Sequence, residues 1–193
     1  SFVYFHLYQN AFIKGSHLEA LYKGNKRKLP HLGYYLQQGL GTVVKYIQVD
    51  GIACKSELDN TLLKVYLPKK LAPESTIVFD MDFTTYFDQT EYRRRMAAFP
   101  SWGFMHYNGV HWYPRISVYD SKKGWDTDQH LNKELYGDYG SFDVTLNFAA
   151  NYIVEATGEL QNESDMYPAD LRKKLDVKNF VNKPWNEKPS TII

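Results

Sequence analysis

Ile77-Val78-Phe79-Asp80-Met81-Asp82-Phe83-Thr84 decides the fold class. Ile77, Phe79, Met81 and Phe83 alternate with Val78, Asp80, Asp82 and Thr84, and a period of two gives an extended chain one apolar face and one mostly polar face. The same alternation returns at Phe142, Val144, Leu146 and Phe148 around Asp143, Thr145 and Asn147. A shorter set, Leu63, Val65 and Leu67 around Lys64 and Tyr66, is closed by Pro68. Thr42–Val49 is β-branched and aromatic and runs into Asp50-Gly51, a hairpin-turn dipeptide. Trp112–Tyr119, Tyr152–Ala156 and Phe2–Tyr8 complete seven candidate strands. Each must cover one face, and a second sheet is the usual partner. The expected fold is therefore mainly β, a sandwich of mostly antiparallel strands.

Helical signals are few. Ser16 is placed to cap a short helix through Leu21-Tyr22, with Glu19 three positions on completing a capping box. Pro168 opens a second over Ala169–Leu175, with Asp170 in its first turn and Arg172, Lys173 and Lys174 in its last. One or two short helices are expected beside the sheets. No internal repeat or linker divides residues 1–181, read as one β-domain that is incomplete at its start. Residues 182–193, polar and carrying Pro184 and Pro189, read as a connector toward a further domain.

Composition excludes several classes. The chain is 44% apolar and 16% aromatic, which supplies a core and rules out intrinsic disorder. Lys and Arg number 23 against 22 Asp and Glu, so the excess positive charge of a nucleic-acid binder is missing. No run of 18 apolar residues is present to span a membrane. Cys54 is the only cysteine, so it forms no internal disulfide and no Cys-based zinc site. The stretch itself contains no signal peptide, and the opening Phe2-Val3-Tyr4-Phe5 reads as the middle of a strand, so the expectation is a cut or processed chain whose missing part could have carried one.

The side chains that could carry chemistry each have a plainer explanation. The six histidines are His6, His17, His31, His106, His111 and His130. None forms the i, i+4 pair around a Glu that brings two rings to one zinc ion; His17-Leu18-Glu19 begins that way, but position 21 is Leu. His106 and His111, five apart, fall on opposite faces of an extended strand. Asp126-Thr127-Asp128 with His130 lacks the further oxygen ligands and Gly of a calcium loop, and reads as a turn whose Asp side chains satisfy loop N–H groups. Asp80 and Asp82 share one strand face about 7 Å apart, within glycosidase range, but a solvated face accounts for them. Arg93-Arg94-Arg95 beside Tyr92 could grip a carboxylate or phosphate, or simply face water. Cys54 reads as an inert core thiol. No Gly-x-Ser-x-Gly and no Gly-rich phosphate loop occurs. The residues read by themselves describe a scaffold or a binding module, with no catalytic and no metal-ligating residue assigned.

One region narrows this. Tyr113-Pro114-Arg115-Ile116-Ser117-Val118-Tyr119-Asp120 leads to Gly124-Trp125-Asp126-Thr127-Asp128. Glu134, Tyr136-Gly137-Asp138-Tyr139-Gly140, Phe142-Asp143-Val144, Asn151-Tyr152-Ile153-Val154, Ala156-Thr157-Gly158 and Leu160 follow in order. This series resembles the end of the N-terminal β-domain of the aminopeptidase N (membrane alanyl aminopeptidase-like) family of zinc metallopeptidases. It is most similar to the bacterial branch carrying Trp-Tyr-Pro-x-x-x-Val-Tyr-Asp, and Phe5–Phe12 resembles an early strand of the same domain. Ala149 departs from it, standing where the family often has Pro.

The resemblance implies a saddle-shaped, mostly antiparallel β-domain that packs on a thermolysin-like catalytic domain of the same chain and walls the peptide cleft. It places zinc, and the His-Glu-x-x-His helix that holds it, further along than this stretch. It therefore implies no cofactor, zinc ligand or catalytic residue here, and leaves the residue nearest the substrate amine unassigned, since Ala97–His111 does not match the family's usual motif. Members of that branch are often exported. Strands without their neighbours predict self-association through open sheet edges. The competing expectation is a stand-alone β-sandwich module binding carbohydrate or protein through its aromatic surplus.

Overall fold

The computed structural model describes residues 1–90, 95–131 and 136–182. The chain divides into two compact units, Ser1–Ser141 and Phe142–Ile193.

The first unit is a mainly β structure of antiparallel sheets. In chain order its elements are β1 (Phe2–His6), a 3-10 turn (Tyr8–Phe12), α1 (His17–Gly24), α2 (Tyr34–Gln37), β2 (Thr42–Val49), β3 (Ile52–Ala53), β4 (Ser56–Asp59) and β5 (Leu62–Tyr66). Then come β6 (Phe79–Thr85), β7 (Ala97–Ser101), β8 (Phe104–Asn108), β9 (Arg115–Ile116), β10 (Tyr119–Asp120) and β11 (Gly124–Trp125). One sheet has the order β4-β5-β1-β9 and another β3-β2-β6, while β7-β8 and β10-β11 are separate two-stranded ribbons.

The two larger sheets pack as a sandwich because their alternating apolar faces meet. Val3, Phe5 and Leu7 from the first strand and its exit join Leu63 and Val65 of β5; across from them lie Ile47 of β2 and Phe79 and Met81 of β6. Val65 is 0% exposed. Phe5 meets Phe79 edge-on at 5.1 Å, a favourable ring geometry. On the other face of β1 and β5, Phe2, Tyr4 and Tyr66 gather around the Lys64 ammonium, 4.4 to 5.9 Å from the ring centres. A second, smaller core of Ala11, Phe12, Leu18 and Leu36 binds the 3-10 turn to the two short helices.

Local chemistry sets the boundaries. Ser16 Oγ accepts from Glu19 N at 3.2 Å, the cap that the sequence predicts. The Glu19 carboxylate reaches back to the Gly15 amide, one residue earlier than a standard capping box. It also pairs with Lys23 at 2.8 Å, and these partners hold its carboxyl below the usual range. Ser16→Ala is expected to lower stability by about 1 kcal/mol, read from the urea midpoint. At the β2–β3 hairpin, Asp50 (φ 50°) and Gly51 (φ 75°) adopt the left-handed pair that the Asp-Gly dipeptide predicts. A bulge between Val44 and Tyr46 frees Lys45, whose ammonium pairs with Asp82 at 3.2 Å.

Several elements differ from the sequence expectation. The first strand ends at His6, not Tyr8, because the chain bends into the 3-10 turn. The strand expected from Ile77 begins at Phe79, where pairing with Val49 starts. Trp112–Tyr119 is not one strand; only Arg115–Ile116 finds a ladder partner, in β1, and Tyr119 belongs to a separate ribbon. The β7–β8 hairpin is additional, and its Trp102 (φ 50°) and Gly103 (φ 81°) repeat the left-handed pair.

The second unit carries α3 (Glu163–Met166), α4 (Ala169–Leu175) and a 3-10 turn (Val177–Asn179). α4 spans the predicted residues, with Pro168 at its N-cap. Phe142–Phe148 and Tyr152–Ala156 do not form the expected strands. An alternating stretch becomes a strand only when another strand completes its hydrogen-bond ladder, and among the described residues neither stretch has one. The connector beyond Asn182 and the run Tyr92-Arg93-Arg94 lie outside the described residues.

Candidate functional site

A group of buried polar side chains gathers at the end of β1. Strand alternation turns His6 away from the core that holds Phe5, and the following turn presents Tyr8. Both are buried, and their rings stack at 5.5 Å with planes 7° apart. Two more imidazoles close on Tyr8: His111 at 4.7 Å and His130 at 5.7 Å. Phe12 meets His130 edge-on at 5.7 Å.

Each approach is fixed by backbone. His111 sits in the left-handed region at φ 53°, beyond the end of β8, so the opposite-face relation expected for His106 and His111 does not arise. Gln9 Nε2 donates to Val110 O at 3.0 Å and holds that loop against the 3-10 turn. His130 is positioned by its neighbour: Gln129 Oε1 accepts from Thr61 N at 3.0 Å and Thr61 Oγ1 at 2.6 Å, and Gln129 Nε2 donates to Asp59 O at 2.9 Å. The His130 amide donates to Thr61 Oγ1 at 3.2 Å.

Charges frame the cluster. Arg95 donates to the His111 ring, and Arg115 lies close enough to Tyr8, His6 and His111 to bear on their ionisation. The Asp126 carboxylate stands 3.9 Å from His6 Nε2, beyond hydrogen-bond length. Burial, with Arg95 next, pushes His111 and His130 down to about 4. Burial also lowers His6, against an opposing pull from Asp126. Tyr8 is raised by burial, with Arg115 opposing. Three neutral imidazoles thus surround one phenol, with two guanidiniums beside them.

The rings surround Tyr8 rather than converge on a point, and among the described residues no group of three His, Cys, Asp or Glu is placed to hold a metal ion. A shallow crevice lined by Gln9, Phe12, Leu36, Tyr86, Arg95 and Met96 opens beside the cluster. What the arrangement can do is take up protons at a cost to its own packing.

The other sequence candidates are dispersed. Asp126 Oδ1 accepts from Asp128 N at 3.3 Å, the turn arrangement expected for that pair. Asp82 is engaged by Lys45. His17 pairs with Asp59 at 3.6 Å on the surface. His106 stacks on Phe99 at 5.7 Å and bonds Ser101 O at 3.2 Å. His31 accepts through its carbonyl from Thr90 Oγ1 at 2.9 Å. Cys54 packs on the sandwich core, and burial raises its thiol, which disfavours the nucleophilic thiolate. The sequence reading missed Tyr8, Arg115 and Gln129 as site residues. They join the cluster from segments more than a hundred residues apart, and no local spacing announces that.

No protein-family model, curated protein or solved structure matches the chain. No helix among the described residues is long and apolar enough to cross a membrane.

Proposed function

We propose that this chain is a non-catalytic N-terminal β-domain of an aminopeptidase-N-like zinc metallopeptidase. In this reading it packs on the catalytic domain of the same parent chain and helps to shape the peptide cleft. The supporting observation is the ordered motif series from Trp112 to Leu160, together with what its first half does in the fold. Arg115 and Ile116 pair with the free edge of β1, Ser117 N donates to Tyr4 O at 2.8 Å, and Asp126 N donates to Val118 O at 2.8 Å. Those residues close a sheet edge instead of presenting reactive groups, as a scaffold requires. The mainly antiparallel β fold is of the kind this reading needs.

Zinc and the water-activating Glu would then belong to the downstream domain, where metal-bound water attacks the N-terminal peptide bond. The test compares this chain with a parent reading frame that continues into His-Glu-x-x-His, using aminoacyl anilide hydrolysis and zinc content after dialysis. The longer protein is expected to hydrolyse the anilide with zinc bound, and this chain to do neither. Stoichiometric zinc or hydrolysis in this chain alone overturns the reading.

A second reading, a stand-alone module for carbohydrate or protein, is favoured by the β7–β8 hairpin. Trp102 at its tip is 90% exposed, with Phe104 beside it also exposed. A stop codon soon after Ile193 in the gene selects this reading over the first.

A further inference from the structure

We infer that the imidazole cluster around Tyr8 is an acid-operated latch, closed while His6, His111 and His130 are neutral, and that protonation releases the Trp112–Leu131 segment from the end of the sandwich. The inference rests on geometry and is independent of the proposed function.

The closed state requires neutral rings. Arg95 directs an N–H at Nδ1 of His111, and a guanidinium can only donate, so that nitrogen must carry a lone pair. A proton placed there would set donor against donor and cation against cation. Both ring nitrogens of His6, and Nδ1 of His130, are buried without a hydrogen-bond partner among the described residues. A charged imidazole without a hydrogen-bond partner is costly to bury, and for His6 the Asp126 carboxylate at 3.9 Å offsets part of that cost. His6 faces Asp126 and Asp128 as favourable charges and Arg115 as an unfavourable one. His111 faces Arg95, Arg115 and His130, and His130 faces Arg95 and His6, and among the described residues no carboxylate opposes either. The Tyr8 phenol, raised by burial, and Tyr113 beside it are the other titratable groups facing the cluster.

The part that can leave shares few backbone ladder bonds with the sheets. The cluster joins the sandwich, through His6, Tyr8 and Phe12, to a segment bearing Arg115, Asp126 and His130, with His111 at its border. That segment is tied down by the two register pairs of β9, the Ser117–Tyr4 bond, the Gln129 contacts with Thr61 and Asp59, the Thr85–Trp112 bond, and the packing of Trp112 on Phe83 and of Trp125 on the sandwich core. β2 and β6, by contrast, share seven register pairs. Few backbone bonds and one shared polar cluster mark a unit that opens before the core does.

The sign follows from linkage. The released segment has histidines near their ordinary value of 6.5, and the closed one holds His111 and His130 near 4. Release therefore takes up protons, and its equilibrium rises as the pH falls from about 6.5 toward 4, on the order of tenfold or more for each histidine.

Hydrogen exchange on the intact chain, followed by NMR at pH 7 and pH 4.5 and expressed as protection factors, tests this. The amides of Ser117 and His130, which bond Tyr4 and Thr61 outside the segment, are expected to lose at least tenfold in protection at pH 4.5, while Ile47 in β2 keeps its own. Equal loss at both sets, or unchanged protection at the first, overturns the latch. A His111→Phe, His130→Phe pair is expected to retain protection at pH 4.5. Should that variant not fold, the imidazole resonances of the unaltered chain decide: titration of His111 and His130 together with the exchange transition supports the latch, and titration near pH 6.5 without any change in exchange overturns it.

Discussion

Phe5→Ala is expected to destabilise the first unit by about 3–5 kcal/mol, the range for removing a large aromatic side chain from a core. Phe5 is almost fully buried, belongs to the cluster where the two sheets meet, and lies edge-on to Phe79 across the interface. Its loss removes apolar burial and leaves a cavity that two hydrogen-bonded sheets cannot easily collapse to fill. The control is Phe2→Ala in the same strand. Phe2 points to the opposite face, is 40% exposed, and touches Tyr4, Tyr66 and Lys64. Its truncation is expected to cost about 1 kcal/mol, for partial burial and one cation–π contact. Urea unfolding followed by tryptophan fluorescence gives both values. Equal losses at the two positions would mean that the face carrying Phe5 is not the one that meets the second sheet.

The contrast between these two positions also shows how much of the fold the sequence carries. Wherever apolar residues alternate and a turn dipeptide follows, as in Thr42–Val49 before Asp50-Gly51, the strand forms at the predicted residues. The Ser16 cap and the Pro168 start are equally legible, since both act within one helical turn. The β7–β8 hairpin is not, because Ala97-Ala98-Phe99-Pro100-Ser101 has no alternation and contains a proline. It survives because, among the described residues, β7 forms a ladder with β8 alone, with a bridge to Asp88 confined to its first residues, so the missing Pro100 N–H interrupts no ladder on a second side. Phe142–Phe148 fails in the opposite sense. Its alternation is clean, but a pattern states which face wants cover and says nothing of whether a neighbouring strand is at hand.

The imidazole cluster lay beyond sequence reading for a further reason. No sequence spacing links His6, His111 and His130 to one another, and apart each is an ordinary histidine. What makes them a unit is that β1, the loop after β8 and the segment anchored by Gln129 end on the same tyrosine. Spacing motifs record ligands that come from one helix or one loop. A site assembled from three distant segments leaves no such record.

Asp88→Ala is expected to cost about 2–4 kcal/mol, and the reason lies in the start of α2. A helix needs acceptors for its first amides, and the N-cap residue normally supplies one. Here the N-cap is Gly33, which has no side chain to offer. Asp88 supplies the acceptor from 52 positions away: its Oδ2 accepts from Leu36 N at 2.8 Å, and its Oδ1 from Gln89 N at 2.9 Å. The carboxylate is buried, so no bulk water replaces it when it is removed. Its own backbone is held by Met96 O at 3.0 Å and by Ala98 N at 2.9 Å, so the group that caps the helix is fixed by the hairpin strand opposite. Asp88→Asn, which keeps one carbonyl oxygen, should recover part of the loss. Gly33 must stay bare for the same geometry, since a Cβ there would run into the Asp88 carboxylate and come within 2.5 Å of Gln89 O. Gly33→Ala is accordingly expected to cost about 1–3 kcal/mol by overpacking. The double variant should cost less than the sum of the two, because deleting the carboxylate removes one of the two obstacles to the new methyl group. Urea midpoints of the four proteins complete the cycle, and strict additivity would show that Gly33 and Asp88 do not share the cap.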